Sequence, residues 1–340
     1  MPRAPSKESQ HHEFRNWFAE PFKYTEESPA PSLNTETRAI LIERIINTIK
    51  SLYLDPSLGA SLVEHFQHHI SNGAYDHIVD GSTLAKAITS DLQFFSGDKH
   101  FRCFFGIPPD EPSKEEQHSR LNNLNCGFGD VKFLPENIAT LEIRGFVPVH
   151  WEDARERIDE VISSVVNADA LVLDLRSNRG GDPKTVALVA SYLLDEPTVW
   201  LRMAKPSDGS VQAFLTEEIV TEKRFATDKP VFVITIPETI SGGEDLAYGL
   251  QSFRRATVVG ERTAGAANLP RACVLSELFV LFVPYMQPAH PVTGSNWEET
   301  GVIPDTDVLA TDALDKAHGL ARAALGHPPP LTGDTYLWSS

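Results

Sequence analysis

The N-terminal part of the chain carries its apolar residues at helical spacing. Ile40, Leu41, Ile45, Ile46, Ile49 and Leu52 predict a helix over Thr35–Tyr53. The same pattern recurs over Asp55–Asn72 and Ser82–Phe95, punctuated by Gly73, Asp80 and Gly81. A turn at Ser96–Arg102 then leads into a strand over Phe101–Phe105. Residues 107–127 are polar, with Pro108, Pro109 and Pro112, and read as a linker or surface loop.

Beyond that point the pattern changes to strands alternating with helices. Residues 128–146 alternate, and Ile138, Leu141 and Ile143 predict a strand. Trp151–Val166 has the pattern of an amphipathic helix. Ala168–Leu175 is a continuous apolar run broken only by aspartates, which fits a buried parallel strand, and a helix follows through Leu193. Val231–Ile236 is a second such strand, and Leu246, Ala247 and Leu250 give the helix after it an apolar face. Strands at Ala256–Gly260 and Leu278–Val283 and a helix over 312–325 complete the series, with a loop at Glu261–Asn268. The alternation implies an α/β domain with a largely parallel sheet.

The chain therefore divides into an N-terminal arm (1–33), a small helical domain (34–106), the linker or loop (107–127), the α/β domain (128–325) and a Pro-rich tail (326–340). The arm carries Phe14, Trp17, Phe18, Phe22 and Tyr24, enough aromatic surface to dock on the body or on a partner. A length of 340 residues agrees with about two domains, and 41% hydrophobic content supports a core.

A formal charge of −17 excludes the basic surface expected of a nucleic-acid or anionic-membrane binder. No apolar run approaches the ~20 residues of a membrane helix, and MPRAPSKESQHHEF has no signal-peptide core, so a soluble, cytoplasmic protein without membrane insertion is expected. Cys103, Cys126 and Cys273 are too few and scattered for a disulfide framework or zinc knuckle. His65, His68 and His69 lie on neighbouring helical faces, but no carboxylate completes a metal shell nearby. No metal or organic cofactor is expected.

Ser241 stands where the strand Val231–Ile236, after a turn at Pro237–Ile240, gives way to a helix. Two readings are open. Ser241-x-x-Glu244 before an apolar run is a capping box. A serine at a helix N-terminus is also placed for nucleophilic attack, because free N–H groups there can hold an oxyanion. Gly180 and Gly181, after the strand Ala168–Leu175, allow close backbone approach to a ligand, and Asp182-Pro183 fits the start of the next helix. Neither G-x-x-x-x-G-K-[ST] nor G-x-G-x-x-G occurs, so this glycine turn suits an oxyanion better than a nucleotide. His100 sits at a loop–strand junction, where working side chains are common.

The segments SGDKH, DLRSNRGG, TISGGEDLAYGLQ, VVGERTAG and PVTGSNWEETGVIPD together resemble the C-terminal processing (tail-specific) peptidase superfamily, in its branch like interphotoreceptor retinoid-binding protein and the tricorn protease core. They follow the family's order, and the resemblance covers residues 35 to about 310. It implies a helical N-terminal domain followed by an α/β domain of ClpP/crotonase type. It also implies Ser241 as nucleophile, His100 as base, and Glu298 or its neighbour Glu299 as the late acidic residue, with Asp98 orienting His100. The oxyanion donors would be Gly242 and either Gly180 or Gly181.

The lysine-dependent branch carries its lysine in a loop that here reads Gly265-Ala266-Ala267, which leaves a Ser–His arrangement. No segment reads as the PDZ domain of processing peptidases, so a peptide or small acyl substrate is expected rather than processive degradation. Two other classes remain open. One is a lyase, cyclase or dehydratase that uses the oxyanion hole and His100. The other is a binding protein for a hydrophobic small molecule, with Phe94, Phe95, Phe101, Phe104 and Phe105 as candidate lining. Homo-oligomers are common in the wider superfamily.

Overall fold

Three side-chain caps set out the N-terminal helices. Asn34 Oδ1 accepts the Thr37 N–H at 2.8 Å and starts α1 (Thr35–Leu52). Asp55 does the same for Leu58 at 2.9 Å, with Pro56 in the first position of α2 (Pro56–Ser71). Asp80 does so for Thr83 at 2.9 Å in α3 (Gly81–Ser96), which ends at Gly97 with φ 74°. The computed structural model describes residues 33–106, 113–219 and 221–327. The expected arm with its aromatic residues, most of the expected tail and the proline cluster at 108–112 lie outside these.

The chain divides into two compact units. Of the described residues, the first takes in those up to Gln117, Leu201–Phe214 and Gly265–Glu299. The second takes in His118–Trp200, Leu215–Ala264 and the described residues from Thr300.

In the first unit, α1–α3 bury Ile45, Ile49, Leu62, Phe66, Leu84, Ile88 and Leu92 around Phe101. Of the residues that predicted α1, Leu41, Ile45, Ile46 and Ile49 form the packing face, whereas Ile40 is exposed. β1 (Arg102–Phe105) leaves α3 through a tight turn, and the Cys103 N–H is fixed to Thr89 Oγ1 at 2.8 Å. The remaining strands are β5 (Val199–Lys205), β6 (Ser210–Leu215), β9 (Leu269–Ser276) and β10 (Phe279–Ala289). Their order is β1-β10-β5-β6, with β9 also on β10, and β10 is antiparallel to β1, β5 and β9.

The strand expected at Leu278–Val283 is therefore the start of a longer one, and it forms a hairpin with β9. β9 escaped the pattern because its residues are nearly all half-buried, and Pro270 and Arg271 interrupt it. The five phenylalanines lie in different surroundings, and Phe105 lines a cavity beside Phe279. Phe101 is core, Phe104 packs on Phe282, and Phe94 is exposed.

The second unit holds β2 (Phe128–Leu134), β3 (Ile138–Ile143), β4 (Ala170–Asp174), β7 (Val231–Thr235), β8 (Thr257–Gly260) and β11 (Thr306–Asp307). Their order is β11-β8-β7-β4-β3-β2, parallel throughout except for β2 against β3. Residues 128–146 thus form two strands rather than one. β7 is buried along its whole length, as a central parallel strand should be. On one face, α8 (Ala313–Ala324) lays Ala313, Ala317 and Ala321 against Val172, Phe232, Ile234 and Val259. These small residues recur every fourth position and let the helix approach the sheet closely.

Two other expectations need correction. Residues 114–124 form a polar helix, α4 (Lys114–Leu124), where a loop was expected; its near-absence of apolar residues hid the period. The amphipathic helix is α5 (Ala154–Ser163), because Trp151 belongs to the turn before it. The remaining helices are α6 (Pro183–Ser191) and α7 (Gly242–Ser252). The architecture is mixed α/β, helical at its N-terminal end, with a mostly parallel sheet. Among the described residues no helix is long and apolar enough to cross a membrane.

Candidate active site

β4 and β7 are parallel neighbours, with Asp174 opposite Ile234. The loops leaving their C-terminal ends therefore emerge side by side, the place where open α/β sheets hold ligands. One loop carries Asn178–Asp182, the other Pro237–Ser241. The buried Thr239 ties them together: its hydroxyl donates to Leu175 O at 2.9 Å and accepts the Ile236 N–H at 3.1 Å.

Ser241 follows with φ 56° and ψ −118°. That is not the extended backbone of an ordinary N-cap. It is a sparsely populated conformation costing about 1–3 kcal/mol, of the kind found where a nucleophile sits on a sharp strand-to-helix turn. Glu244, fully buried, accepts the Ser241 N–H at 2.9 Å and the Thr263 hydroxyl at 2.6 Å. The carboxylate half of the expected capping box is therefore present, and it braces the turn.

The glycine loop is pinned against residues 144–146. Gly180 O accepts the Phe146 N–H at 3.0 Å, and Phe146 O accepts the Asp182 N–H at 2.9 Å. A Cβ on Gly181 would run into Phe146 O. A Cβ on Gly180 would lie 2.9 Å from Ser241 Cβ and 3.3 Å from its Oγ, so glycine is required for the loop to reach the serine.

The buried Asn178 decides which N–H remains available. Its Oδ1 accepts the Gly180 N–H at 2.8 Å, and its Nδ2 donates to Ile143 O at 2.9 Å. No described residue accepts from the N–H groups of Gly181 or Gly242. The latter is the first residue of α7, where the helix dipole favours negative charge. Gly181 N lies 3.1 Å from the position a Cβ on Gly242 would take.

In the first unit, the turn after α3 carries Asp98 and His100, both buried. Ser96 Oγ accepts the Asp98 N–H at 3.1 Å, and Asp98 Oδ1 accepts the His100 N–H at 2.8 Å. The same Oδ1 is 3.8 Å from His100 Nδ1, too far for a hydrogen bond to the ring. Asn268 Nδ2 donates to Asp98 Oδ2 at 2.8 Å. Glu298 Oε2 accepts the N–H groups of Ala267 at 2.5 Å and Asn268 at 3.0 Å. The buried Trp297 anchors this stretch by donating to Ala266 O at 3.0 Å.

Burial pushes the His100 imidazole down to about 3, helped by the Arg102 charge, so the ring is neutral at ordinary pH. Burial pushes the Asp98 carboxyl up to about 6, against the pull of the Asn268 and His100 donors. Asp98, His100 and Glu298 each bring one ligand atom to within 4.8 Å of the others. Among the described residues they are the only such group that could hold a metal ion. His65, His68 and His69 turn to separate partners (Ser61 O, Asn72 and Asp91).

The second unit thus brings together Ser241, Gly180, Gly181 and Gly242. The first brings together Asp98, His100 and Glu298. Glu299 is exposed, with φ 60° and its N–H on Gly265 O. Sequence reasoning missed Asn178, Asn268 and Thr263. Asn178 lies inside the noted run DLRSNRGG, but only its hydrogen bonds separate it from its neighbours.

The model of "Peptidase family S41" matches residues 137–308, and that of the "N-terminal domain of Peptidase_S41 in eukaryotic IRBP" matches residues 32–126. A carboxyl-terminal-processing protease of Synechocystis sp. is 31% identical over 141 residues, 41% of this chain and 30% of that protein. The chloroplastic carboxyl-terminal-processing peptidase 2 of Arabidopsis thaliana is 30% identical over 166 residues, 45% of this chain and 29% of that protein. The chain spans less than a third of the length of these two relatives.

Among solved structures, a putative peptidase from Parabacteroides merdae superposes with TM-score 0.58 at 17% identity, covering 83% of this chain and 96% of its own. A lipoprotein from Streptococcus agalactiae gives 0.56 at 15%, covering 88% and 100%. These two share the fold. With the S41 model matched over residues 137–308, half of its length, this chain belongs to peptidase family S41.

Proposed function

We propose that the chain is a serine peptidase that cleaves an amide bond in a peptide substrate. The observation that carries this is the backbone of Ser241, strained at φ 56° and ψ −118° on a strand-to-helix turn beside two uncommitted N–H groups. Such strain persists only where the surrounding structure enforces it, and it clusters at functional sites. Family membership and the names of the two processing peptidases support the same reading.

In this proposal Ser241 Oγ attacks the scissile carbonyl carbon while the neutral His100 imidazole takes its proton. The N–H groups of Gly181 and Gly242 hold the oxyanion; removing one such donor costs roughly 10²–10³ in rate elsewhere. Gly180 is set aside because Asn178 occupies its N–H. The imidazolium returns the proton to the leaving amine. Water, deprotonated by His100, then attacks the acyl-enzyme and releases the acid. Glu298 and Asp98 carry the negative charge that stabilises the imidazolium. Glu298 is chosen over Glu299 because its carboxylate is fastened within reach of His100, whereas Glu299 is exposed.

The test is labelling of the folded protein by a fluorophosphonate, with mass spectrometry of the modified peptide and of cleaved peptide libraries. A stoichiometric adduct on Ser241, absent in Ser241→Ala and strongly slowed in His100→Ala, is expected. A folded wild type that neither reacts nor cleaves any peptide would sink the proposal.

A further inference from the structure

The loop that holds the lysine of the lysine-dependent branch ends here at Asn268, and this residue is engaged at both ends. Its side-chain amide donates to Asp98 Oδ2 at 2.8 Å, and its backbone N–H donates to Glu298 Oε2 at 3.0 Å. It is 5% exposed, so neither bond is shared with bulk water. The other oxygen of Asp98 holds the backbone N–H of His100. A continuous path of hydrogen bonds thus runs from Glu298 through Asn268 and Asp98 to the turn that carries the imidazole. Since Asp98 does not hydrogen-bond the ring, its effect on His100 depends on where the carboxylate is held. Asn268 holds it from outside the His100 turn.

We propose that Asn268 is a positioning residue for the reaction: it links Asp98 to Glu298, keeps both carboxylates turned toward His100, and thereby sets the pH range in which the imidazole works. In this chain the loop without a lysine supplies no base; it organises the acids beside another one. The role rests on the peptidase reading above. An amide is required because its N–H₂ can only donate to a carboxylate, whereas a carboxylate at 268 would repel Asp98.

The experiment measures kcat and KM against pH, on the peptide cleaved best by the full-length wild type, for Asn268→Ala, Asn268→Ser, Asn268→Asp and the exchange Asp98→Asn with Asn268→Asp. Asn268→Ala is expected to lower kcat roughly tenfold to a hundredfold, the scale of a lost hydrogen bond to a charged group. KM should stay within about twofold, since only the reaction steps are touched. The acid limb should move up by about one pH unit, because the buried carboxyl loses a donor that favours its charge. Asn268→Asp should move it further. The exchange restores an amide–carboxylate pair and should regain activity over Asn268→Asp, which a merely space-filling role would not give. An active wild type whose pH profile Asn268→Ala reproduces, or an exchange no better than Asn268→Asp, overturns the positioning role alone. An inert wild type overturns the peptidase reading and this role with it. Should Asn268→Ala fail to fold, Asn268→Ser decides by the same profile.

Discussion

The carboxylate of Glu244 holds the backbone N–H of Ser241 at 2.9 Å, three residues back along the chain, from a fully buried position. Its other oxygen takes the Thr263 hydroxyl, which itself accepts the Val302 N–H at 2.7 Å. Removing the carboxylate leaves buried donors without an acceptor, at about 1–3 kcal/mol each. Glu244→Ala should therefore lower Tm by several degrees, at roughly 2–4 °C per kcal/mol for a domain of this size. Glu244→Gln keeps one acceptor and should lose less. Because the Ser241 backbone relaxes, fluorophosphonate labelling should slow in both, and more in Glu244→Ala. Calorimetry and labelling rates check this; equal stability of wild type and Glu244→Ala would contradict the bracing role.

The positive φ of Ser241 separates two substitutions that chemistry treats alike. Both Ser241→Ala and Ser241→Gly remove the nucleophile and should abolish labelling. Alanine keeps the strain that its Cβ imposes at φ 56°, whereas glycine adopts such a conformation freely. Ser241→Gly should thus be the more stable of the two by about 1 kcal/mol, despite the entropy glycine loses on folding. Urea unfolding of the two variants measures the difference directly. An alanine variant at least as stable as the glycine variant would mean that the turn is not strained.

Much of this arrangement is legible in the amino-acid sequence. The strand–turn–helix around Ser241 is written in a β-branched run followed by small residues, and β4 with its glycine loop is equally plain. What the sequence does not show is any choice between neighbours. Gly180 is separated from Gly181 as a donor by the Asn178 side chain, which occupies its N–H. Glu298 and Glu299 differ in that the backbone donors of Ala267 and Asn268 fasten one of them. Asn268 itself lies in a loop whose composition signals nothing, since its importance comes from Asp98, 170 positions earlier. Strands β6 and β9 stay hidden because exposed or half-buried strands lack the apolar runs by which buried ones are recognised.

Burial holds the His100 imidazole neutral down to about 3, and it pushes the neighbouring Asp98 carboxyl up to about 6. As pH falls through this range Asp98 takes up a proton, and its share of the negative charge that stabilises the imidazolium in the transition state is lost. The kcat/KM profile should therefore fall below about pH 6. Asp98→Asn should reduce the plateau rate, since the charge is absent at every pH, and remove the limb from that region. A limb that stays in place in Asp98→Asn would assign it to another group.

Asp245 couples pH to the helix that begins at the nucleophile. Its N–H donates to Ser241 O at 2.9 Å, and its buried carboxyl accepts the Trp200 indole N–H at 3.0 Å. Burial pushes this carboxyl up to about 8, with the indole bond pulling the other way. An unfolded aspartate titrates near 3.9, so between roughly pH 4 and 8 the folded protein holds a proton that the unfolded chain has released. Stability from this group is fully present below about pH 4 and declines as pH rises, by at most about 1.4 kcal/mol per unit. It is lost once pH passes the folded value of about 8. Asp245→Asn keeps an acceptor for Trp200 and carries no charge at any pH. The stability of wild type minus that of Asp245→Asn should therefore fall steadily from pH 5 to pH 8 in urea titrations, cancelling every other titrating group. The charge that appears on Asp245 lies one turn from the proposed oxyanion donor Gly242, where the developing anion would be repelled. Wild-type kcat should accordingly drop above about pH 8 while that of Asp245→Asn does not. Parallel stability curves together with a shared alkaline limb would show that Asp245 is ionised throughout, and would remove it from any account of the site.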